Sequence, residues 1–261
     1  MLITSRQNPL IVRLSKLSER KYRKAEGLFL AEGVKLSGEA AIAGVVEYLL
    51  VTEEHEGSPV CDEVMSHGGE VIIATAEVLE KVSTESAPQG MIAVCRMMHD
   101  IHVSKDSADL SDAGAVLILD RVRDPGNLGT VMRSAEAFGG VRLLTAGCAD
   151  IYNPKTVRGS MGALFRVNTV DFVDTADAVD FAKAAGYCVL GAALDDTAVR
   201  LGECTLDEKT AVIIGTEGKG ISEDVLDMCD GKLYIPMTGG ESLNCSVAAS
   251  VIMWEMFSSK S

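Results

Sequence analysis

Residues 235–257 read Ile-Pro-Met-Thr-Gly-Gly-Glu-Ser-Leu-Asn-Cys-Ser-Val-Ala-Ala-Ser-Val-Ile-Met-Trp-Glu-Met-Phe. The short run Lys232 to Ile235 reads as a strand end, and Pro236 stops it because proline brings no backbone donor. Thr238, Gly239 and Gly240 then loosen the backbone, and Ser242, Asn244 and Ser246 set three short polar side chains ahead of an apolar run. Val247, Val251 and Trp254, flanked by Ala248 and Met253, fall at three- and four-residue spacing, which predicts a helix with Ser246 as its N-cap. Strand, polar Gly-rich loop and helix N-terminus thus meet in one place, and such a junction offers free amides and carbonyls to a small ligand. An ordinary strand-to-helix connection has the same pattern.

Two further stretches repeat the arrangement. Val212 to Ser222, Val-Ile-Ile-Gly-Thr-Glu-Gly-Lys-Gly-Ile-Ser, runs a buried-type strand into a second Gly-rich loop that holds Glu217. Asp120 to Gly139, Asp-Arg-Val-Arg-Asp-Pro-Gly-Asn-Leu-Gly-Thr-Val-Met-Arg-Ser-Ala-Glu-Ala-Phe-Gly, follows an apolar strand and is expected to open a helix after Asn127. Together, Asn127-x-Gly129-x-x-x-Arg133, the Gly-Thr-Glu-Gly-x-Gly segment and Ile-Pro-Met…Ser-Leu-Asn-x-Ser-Val-Ala resemble the three motifs of the SpoU-type RNA ribose 2′-O-methyltransferases, in the expected order over about residues 113–257. That family belongs to the SPOUT superfamily and uses S-adenosylmethionine. The resemblance implies a parallel-sheet domain with a trefoil knot, in which roughly residues 215–257 thread through a loop. It also implies a homodimer formed through the knotted domain.

Site roles follow from the same resemblance. Gly215, Glu217, Gly218, Ile235, Met237, Leu243 and Asn244 are the expected cofactor contacts, made mainly through backbone groups around Gly215, Ile235 and Leu243. Read without the motifs, Ile235 and Leu243 would be core residues. Asn127, Arg133, Glu217, Ser242 and Asn244 are the expected catalytic set. Asn127 and Glu217 would fix the loop and the Arg133 side chain, and Ser242 and Asn244 would bond the ribose or the cofactor. In the family the matching arginine is often proposed as the base, but a guanidinium keeps its proton at any working pH. Arg133 is therefore expected to grip the phosphate beside the target ribose or to stabilise the developing alkoxide. Its bland alternative is a surface pair with Glu136 at i, i+3.

A chain of 261 residues with 47% apolar content can bury a sizeable core in one large or two modest domains. The formal net charge of −14 has the wrong sign for a phosphate-binding protein. Residues 1–35, however, carry eight basic side chains against three glutamates, a local excess of +5. Arg13, Arg20, Lys21, Arg23 and Lys24 lie in this arm, which reads either as an RNA footprint or as a solvated helix face. Seven widely spaced cysteines read as reduced residues of a cytoplasmic protein. No apolar run is long enough to span a membrane, and no signal peptide is evident. His99 and His102 form a linker pair rather than half a metal site, so no metal is expected. Gly215 to Gly220 fits neither the P-loop nor the dinucleotide spacing, and the catalytic half contains no histidine for Ser-His chemistry.

In chain order, Asn8-Pro9 precedes an amphipathic helix with Leu10, Ile11, Leu14 and Leu17 on one side and Arg13, Lys16 and Arg20 on the other. Alternating elements follow: strands at 27–31, 46–51, 71–74 and 91–96, and helices at 34–43, 59–67 and 76–82. This α/β unit resembles the small L30e-like substrate-binding domain that precedes the catalytic domain in part of the family. Polar residues 98–112 read as a linker. Beyond them, strands are expected at 115–119, 141–145, 165–170, 187–192, 211–215 and 232–235, with helices at 128–138, 154–161, 177–185, 223–228 and 246–257. Strands this apolar belong inside a parallel sheet. The division is therefore an RNA-binding domain at 1–97, a linker at 98–112 and a methyltransferase domain at 113–261. By analogy with relatives carrying such an appended domain, ribosomal RNA is the expected substrate. Transfer RNA, or a catalytically silent RNA-binding role, is the alternative.

Overall fold

The structure is a computed structural model that describes residues 2–99, 102–104, 108–111, 113–139, 141–216, 220–239 and 242–258. The chain forms two compact units, Met1–Met98 with Asp150–Phe165, and His99–Ala149 with Arg166–Ser261.

The first unit contains β1 (Leu2–Ile3), α1 (Pro9–Ser15), α2 (Arg20–Glu26), β2 (Leu28–Glu32), α3 (Val34–Ile42), β3 (Val46–Val51), α4 (Pro59–Ser66), β4 (Glu70–Ala74), α5 (Ala76–Val82) and β5 (Met91–Arg96). Its sheet order is β1-β4-β3-β5-β2, with β5 antiparallel to both β2 and β3. Helix α1 starts where Asn8 accepts a hydrogen bond from Leu10 N and Pro9 occupies the first turn, where its missing N–H costs nothing. The expected stripe Ile11, Leu14 and Leu17 is buried against β-strand side chains such as Leu28, Leu30 and Ile92. Helix α2, which the sequence reading left within the basic arm, ends at Gly27 in the left-handed conformation.

The second unit begins with β6 (His102–Ser104), in what read as linker, and continues with β7 (Val116–Asp120), α6 (Pro125–Phe138) and β8 (Arg142–Ala146). The helix α7 (Pro154–Ser160) follows in sequence but packs in the first unit. Then come β9 (Thr169–Phe172), α8 (Thr175–Ala184), β10 (Cys188–Ala192), β11 (Val199–Arg200), β12 (Thr210–Ile214), α9 (Glu223–Asp227), β13 (Gly231–Tyr234) and α10 (Cys245–Ser258). The strands form one sheet, β11-β13-β10-β12-β7-β8-β9-β6, and every pairing in it is parallel. Central β7 and β12 are buried at every residue, as a sheet covered on both faces requires.

Two local expectations are corrected. The strand placed at 165–170 starts at Thr169, because Met161 (φ 52°) and Gly162 (φ 103°) turn the chain and Ala163–Phe165 forms a 3-10 turn. Phe165 instead stacks on Phe29, at 6.3 Å between ring centroids, while Tyr152 lies 4.7 Å from the same ring. These contacts hold residues 150–165 in the first unit. On α10 the buried side is Cys245, Ala249, Ile252, Met253 and Met256, whereas Val247 and Trp254 of the expected stripe face outward. A helix apolar all round has no face that its own periodicity can select.

Candidate active site

Parallel strands β7, β12, β10 and β13 are consecutive neighbours except for order reversal along the chain, so the loops leaving their C-terminal ends gather at one edge of the sheet. Such an edge is where open parallel sheets place their ligands. All three motif loops leave from it.

The first loop enters α6 earlier than its sequence suggested. Asp124 is the N-cap, its Oδ1 accepting from Asn127 N at 2.9 Å, and Pro125 follows it. Asn127 therefore sits within the first turn. Its Oδ1 accepts a hydrogen bond from Asn244 Nδ2 at 3.2 Å, which ties the first motif to the third. Asn244 also caps α10, its Oδ1 accepting from Ser246 N at 2.9 Å. The expected cap Ser246 is displaced into the helix, where its hydroxyl is 2.7 Å from Asn244 Oδ1 and 3.4 Å from Asn127 Oδ1. With one proton to donate, that hydroxyl serves the shorter contact. A further bond, Ser134 Oγ to Ser250 Oγ at 2.7 Å, holds α6 on α10.

The second loop is tight. A Cβ on Gly215 would lie 2.3 Å from the carbonyl carbon of Gly220, and Gly220 N donates to Thr216 O at 3.0 Å. Only glycine fits so close to another backbone segment. Glu217 and Gly218, named above as site residues, lie outside the described residues.

Between the ends of β10 and β13 and the start of α10 is a mostly apolar cleft lined by Leu194, Tyr234, Ile235, Met237, Ser242 and Leu243, with Ala248 beside them. Three of the expected cofactor contacts, Ile235, Met237 and Leu243, are thus brought together, with Ser242 of the expected catalytic set beside them. Ile235 and Leu243 are half-buried, lining a cavity and not filling a core. Gly215 and Asn244 do not line this cleft, and Asn244 turns instead to Asn127. Leu194 and Tyr234 were missed. Tyr234 adjoins Ile235, but nothing in the sequence marks Leu194.

Arg133 is exposed on α6, and no hydrogen bond or ion pair joins it to another described residue. The alternative pairing with Glu136 does not form, because Arg166 takes that carboxylate. At the end of β7 the buried Asp120 carboxylate accepts two bonds from Arg121, each 2.8 Å, and one from Thr175 Oγ1 at 2.5 Å. The Asp120 contact pushes the Arg121 guanidinium above its ordinary range.

In the basic arm, Arg20 and Lys24 are exposed, Arg13 is paired with Glu26 at 2.6 Å, and Lys21 with Glu19 at 3.1 Å. Arg23 corrects the reading of this arm. It is 1% exposed, and its guanidinium donates to Leu17 O, Ser18 O and Asp150 Oδ2 at 2.9, 2.7 and 2.6 Å. It closes the first unit and presents nothing to RNA. None of the seven cysteines is in a disulfide; Cys61, Cys95 and Cys245 are buried, while Cys188 is exposed. Among the described residues no cluster of three or more His, Cys, Asp or Glu side chains could hold a metal, and no helix is long and apolar enough to cross a membrane.

Comparison with known proteins bears directly on this geometry. The MRM3-like substrate binding domain matches residues 8–93. The chain is 34% identical over 257 residues to the 23S rRNA (guanosine(2553)-2'-O)-methyltransferase RlmP of Bacillus subtilis (strain 168), covering 97% of this chain and 98% of that protein. It is 30% identical over 266 residues to a 23S rRNA (uridine(2479)-2'-O)-methyltransferase of Streptomyces viridochromogenes, covering 97% and 90%. The crystal structure of the SpoU methyltransferase AviRb from Streptomyces viridochromogenes, in complex with the cofactor AdoMet, superposes with a TM-score of 0.83 at 29% identity, covering 97% of this chain and 98% of that one. Residues 114–254, which span all three motif loops, match the SpoU rRNA Methylase family, and the chain belongs to it.

Proposed function

We propose that this protein transfers a methyl group from S-adenosylmethionine to the ribose 2′-hydroxyl of a nucleotide in ribosomal RNA. The observation that carries the reading is the Asn127–Asn244 bond, which joins the first and third motifs at the sheet edge that also holds the apolar cleft. The cleft suits the cofactor: apolar walls take an uncharged adenine ring, strand-end backbone offers amides and carbonyls, and Ser242 adds a hydroxyl. When bound, S-adenosylmethionine supplies a methyl carbon activated by its sulfonium. The chain's own task is to align the ribose oxygen and stabilise the charge it develops. Asn127, Asn244 and Ser246 hold the two helix starts in register for this. Arg133, exposed and without an ion pair among the described residues, serves the phosphate beside the ribose or the alkoxide itself. Glu217 and Gly218 belong to the same loop by sequence position, and Gly215 gives that loop its close turn.

Ribosomal RNA is favoured over transfer RNA because the two relatives above with a named target are both 23S rRNA methyltransferases, and the similarity to this chain runs along nearly their whole length. Residues 1–97 serve as the RNA-binding part through Arg13, Arg20, Lys21 and Lys24, and 113–261 as the methyltransferase domain, with 98–112 between them contributing the strand β6 to that domain's sheet. We further propose a cytoplasmic homodimer, with the family's trefoil knot. Support for the dimer comes from the outer face of α10, where Trp254 is 52% exposed and clusters with Phe138 and Phe257 at 5.8 and 5.9 Å between centroids. An apolar face of that kind on α6 and α10 suits a second copy of the same surface. The decisive experiment measures labelled methyl transfer into RNA by the unaltered protein and by Arg133→Ala. Transfer is expected to fall at least about a hundredfold, as for loss of a charge-stabilising group, with cofactor affinity unchanged. An unaltered rate removes Arg133 from the mechanism, and a protein that binds cofactor but methylates no RNA is the silent relative.

A further inference from the structure

Ala192 on β10 and Val199 on β11 are both register partners of Leu233, one from each side of β13. The connection between them, residues 193–198, is therefore a strap that passes from one side of β13 to the other, at the end of the strand that opens into the cleft. The start of the strap is tied to β13 by Ala193 N, which donates to Leu233 O at 3.0 Å, and β11, into which the strap runs, pairs with β13 and is followed by Leu201 N donating to Tyr234 O at 2.9 Å. The middle of the strap is held by Asp195. The Oδ1 of Asp195 accepts from Thr197 N at 2.7 Å and from Thr197 Oγ1 at 2.6 Å, and its Oδ2 accepts from Lys232 Nζ at 2.6 Å. The hydrogen bond from Lys232, followed by those from Thr197, holds the Asp195 carboxyl well below the usual carboxylate range, so the pair is ionised. Lys232 lies on β13 itself, so the latch fastens the strap to the strand it crosses.

This arrangement fixes Leu194, the residue before the latch, on the wall of the cleft with Ile235 and Leu243. Leu194 is 67% exposed. A leucine held in water by a braced backbone, on the rim of an apolar cleft, has surface that an occupant of the cleft would cover.

We propose that Asp195 and Lys232 are positioning residues that latch the strap so that Leu194 closes against the adenosyl part of S-adenosylmethionine. The inference rests on the cleft being the cofactor site. Neither latch residue touches the reacting atoms.

The test is calorimetric titration of the full chain with S-adenosylmethionine and, separately, S-adenosylhomocysteine, with thermal melting of every variant alongside. Leu194→Ala is expected to weaken both ligands about tenfold, the scale of lost apolar contact in a pocket. Asp195→Ala and Lys232→Met are expected to weaken them about threefold to fivefold, the upper range for a partly exposed ion pair. Lys232→Arg and the exchange Asp195→Lys with Lys232→Asp are expected to recover most of the affinity. Lower melting temperatures with affinities within twofold of the unaltered protein would show a merely structural latch and overturn the inference. Ala248→Phe fills the cleft from α10 and separates the two levels of the argument. If it too leaves affinity unchanged, the cleft reading falls; if it abolishes binding while Leu194→Ala does nothing, only the strap inference falls.

Discussion

Replacing Arg23 by alanine is expected to unfold the first unit far more easily while leaving the RNA-facing surface intact. The guanidinium makes three hydrogen bonds, to Leu17 O, Ser18 O and Asp150 Oδ2, from a position 1% exposed. Truncation would leave two carbonyls and a carboxylate without their donor, and breaking a buried charge pair in this way costs about 3–5 kcal/mol. The lower end applies, because the Asp150 side chain keeps 13% of its surface in water and Arg20 Nε stands 4.0 Å away. A loss of about 3 kcal/mol, with a urea dependence of about 1.5–2 kcal/mol per molar for a unit of this size, moves the midpoint down by about 1.5–2 M. Arg23→Lys keeps the charge but not the planar fork, so an intermediate loss is expected. The assay is urea unfolding followed by the Trp254-independent far-UV signal, with the double variant Arg20→Ala, Lys24→Ala as a surface control that shifts by no more than about 0.5 kcal/mol. An Arg23→Ala protein that unfolds at the unaltered midpoint but loses RNA affinity would refute the burial argument and return Arg23 to the basic surface.

Other perturbations read other parts of the structure. Gly215→Ala forces a Cβ to within 2.3 Å of the Gly220 carbonyl carbon, so cofactor affinity measured by calorimetry should drop sharply; unchanged binding would show that this loop does not shape the site. Asn244→Ala removes the α10 cap and the bridge to Asn127, and should cost about 1 kcal/mol in chemical unfolding and lower methyl transfer with it. Trp254→Arg should shift the protein from dimer to monomer in sedimentation, whereas a monomeric unaltered protein would end the α10 proposal. Burial pushes the Cys148 thiol up to about 12 and the Cys95 thiol higher still, so at pH 8 both should resist iodoacetamide until the chain unfolds. Mass spectrometry of the labelled sites checks this directly.

The alternation of short apolar strands with helices was enough to mark the α/β class and nearly every long element, since burial of β7 and β12 demands uninterrupted apolar runs whatever the neighbours are. The three motif loops were equally legible, because glycine and short polar residues at strand ends are local requirements of tight turns and helix starts. Other features depended on partners distant in sequence. Arg23 meets Asp150 across 127 positions and Asn127 meets Asn244 across 117. No local pattern distinguishes a buried arginine from its exposed neighbours, or shows that Asn244 takes the cap expected of Ser246. Helix α10 is apolar on every side, so only packing against α6 and the sheet decided which side is inward. Leu194 is one leucine among many until the strap carries it over β13. Periodicity and turn chemistry act within a few residues, and these the amino-acid order alone determined. Which charge finds a partner, which helix face turns inward and which side chain borders a cleft are set by surfaces that only the folded chain brings together.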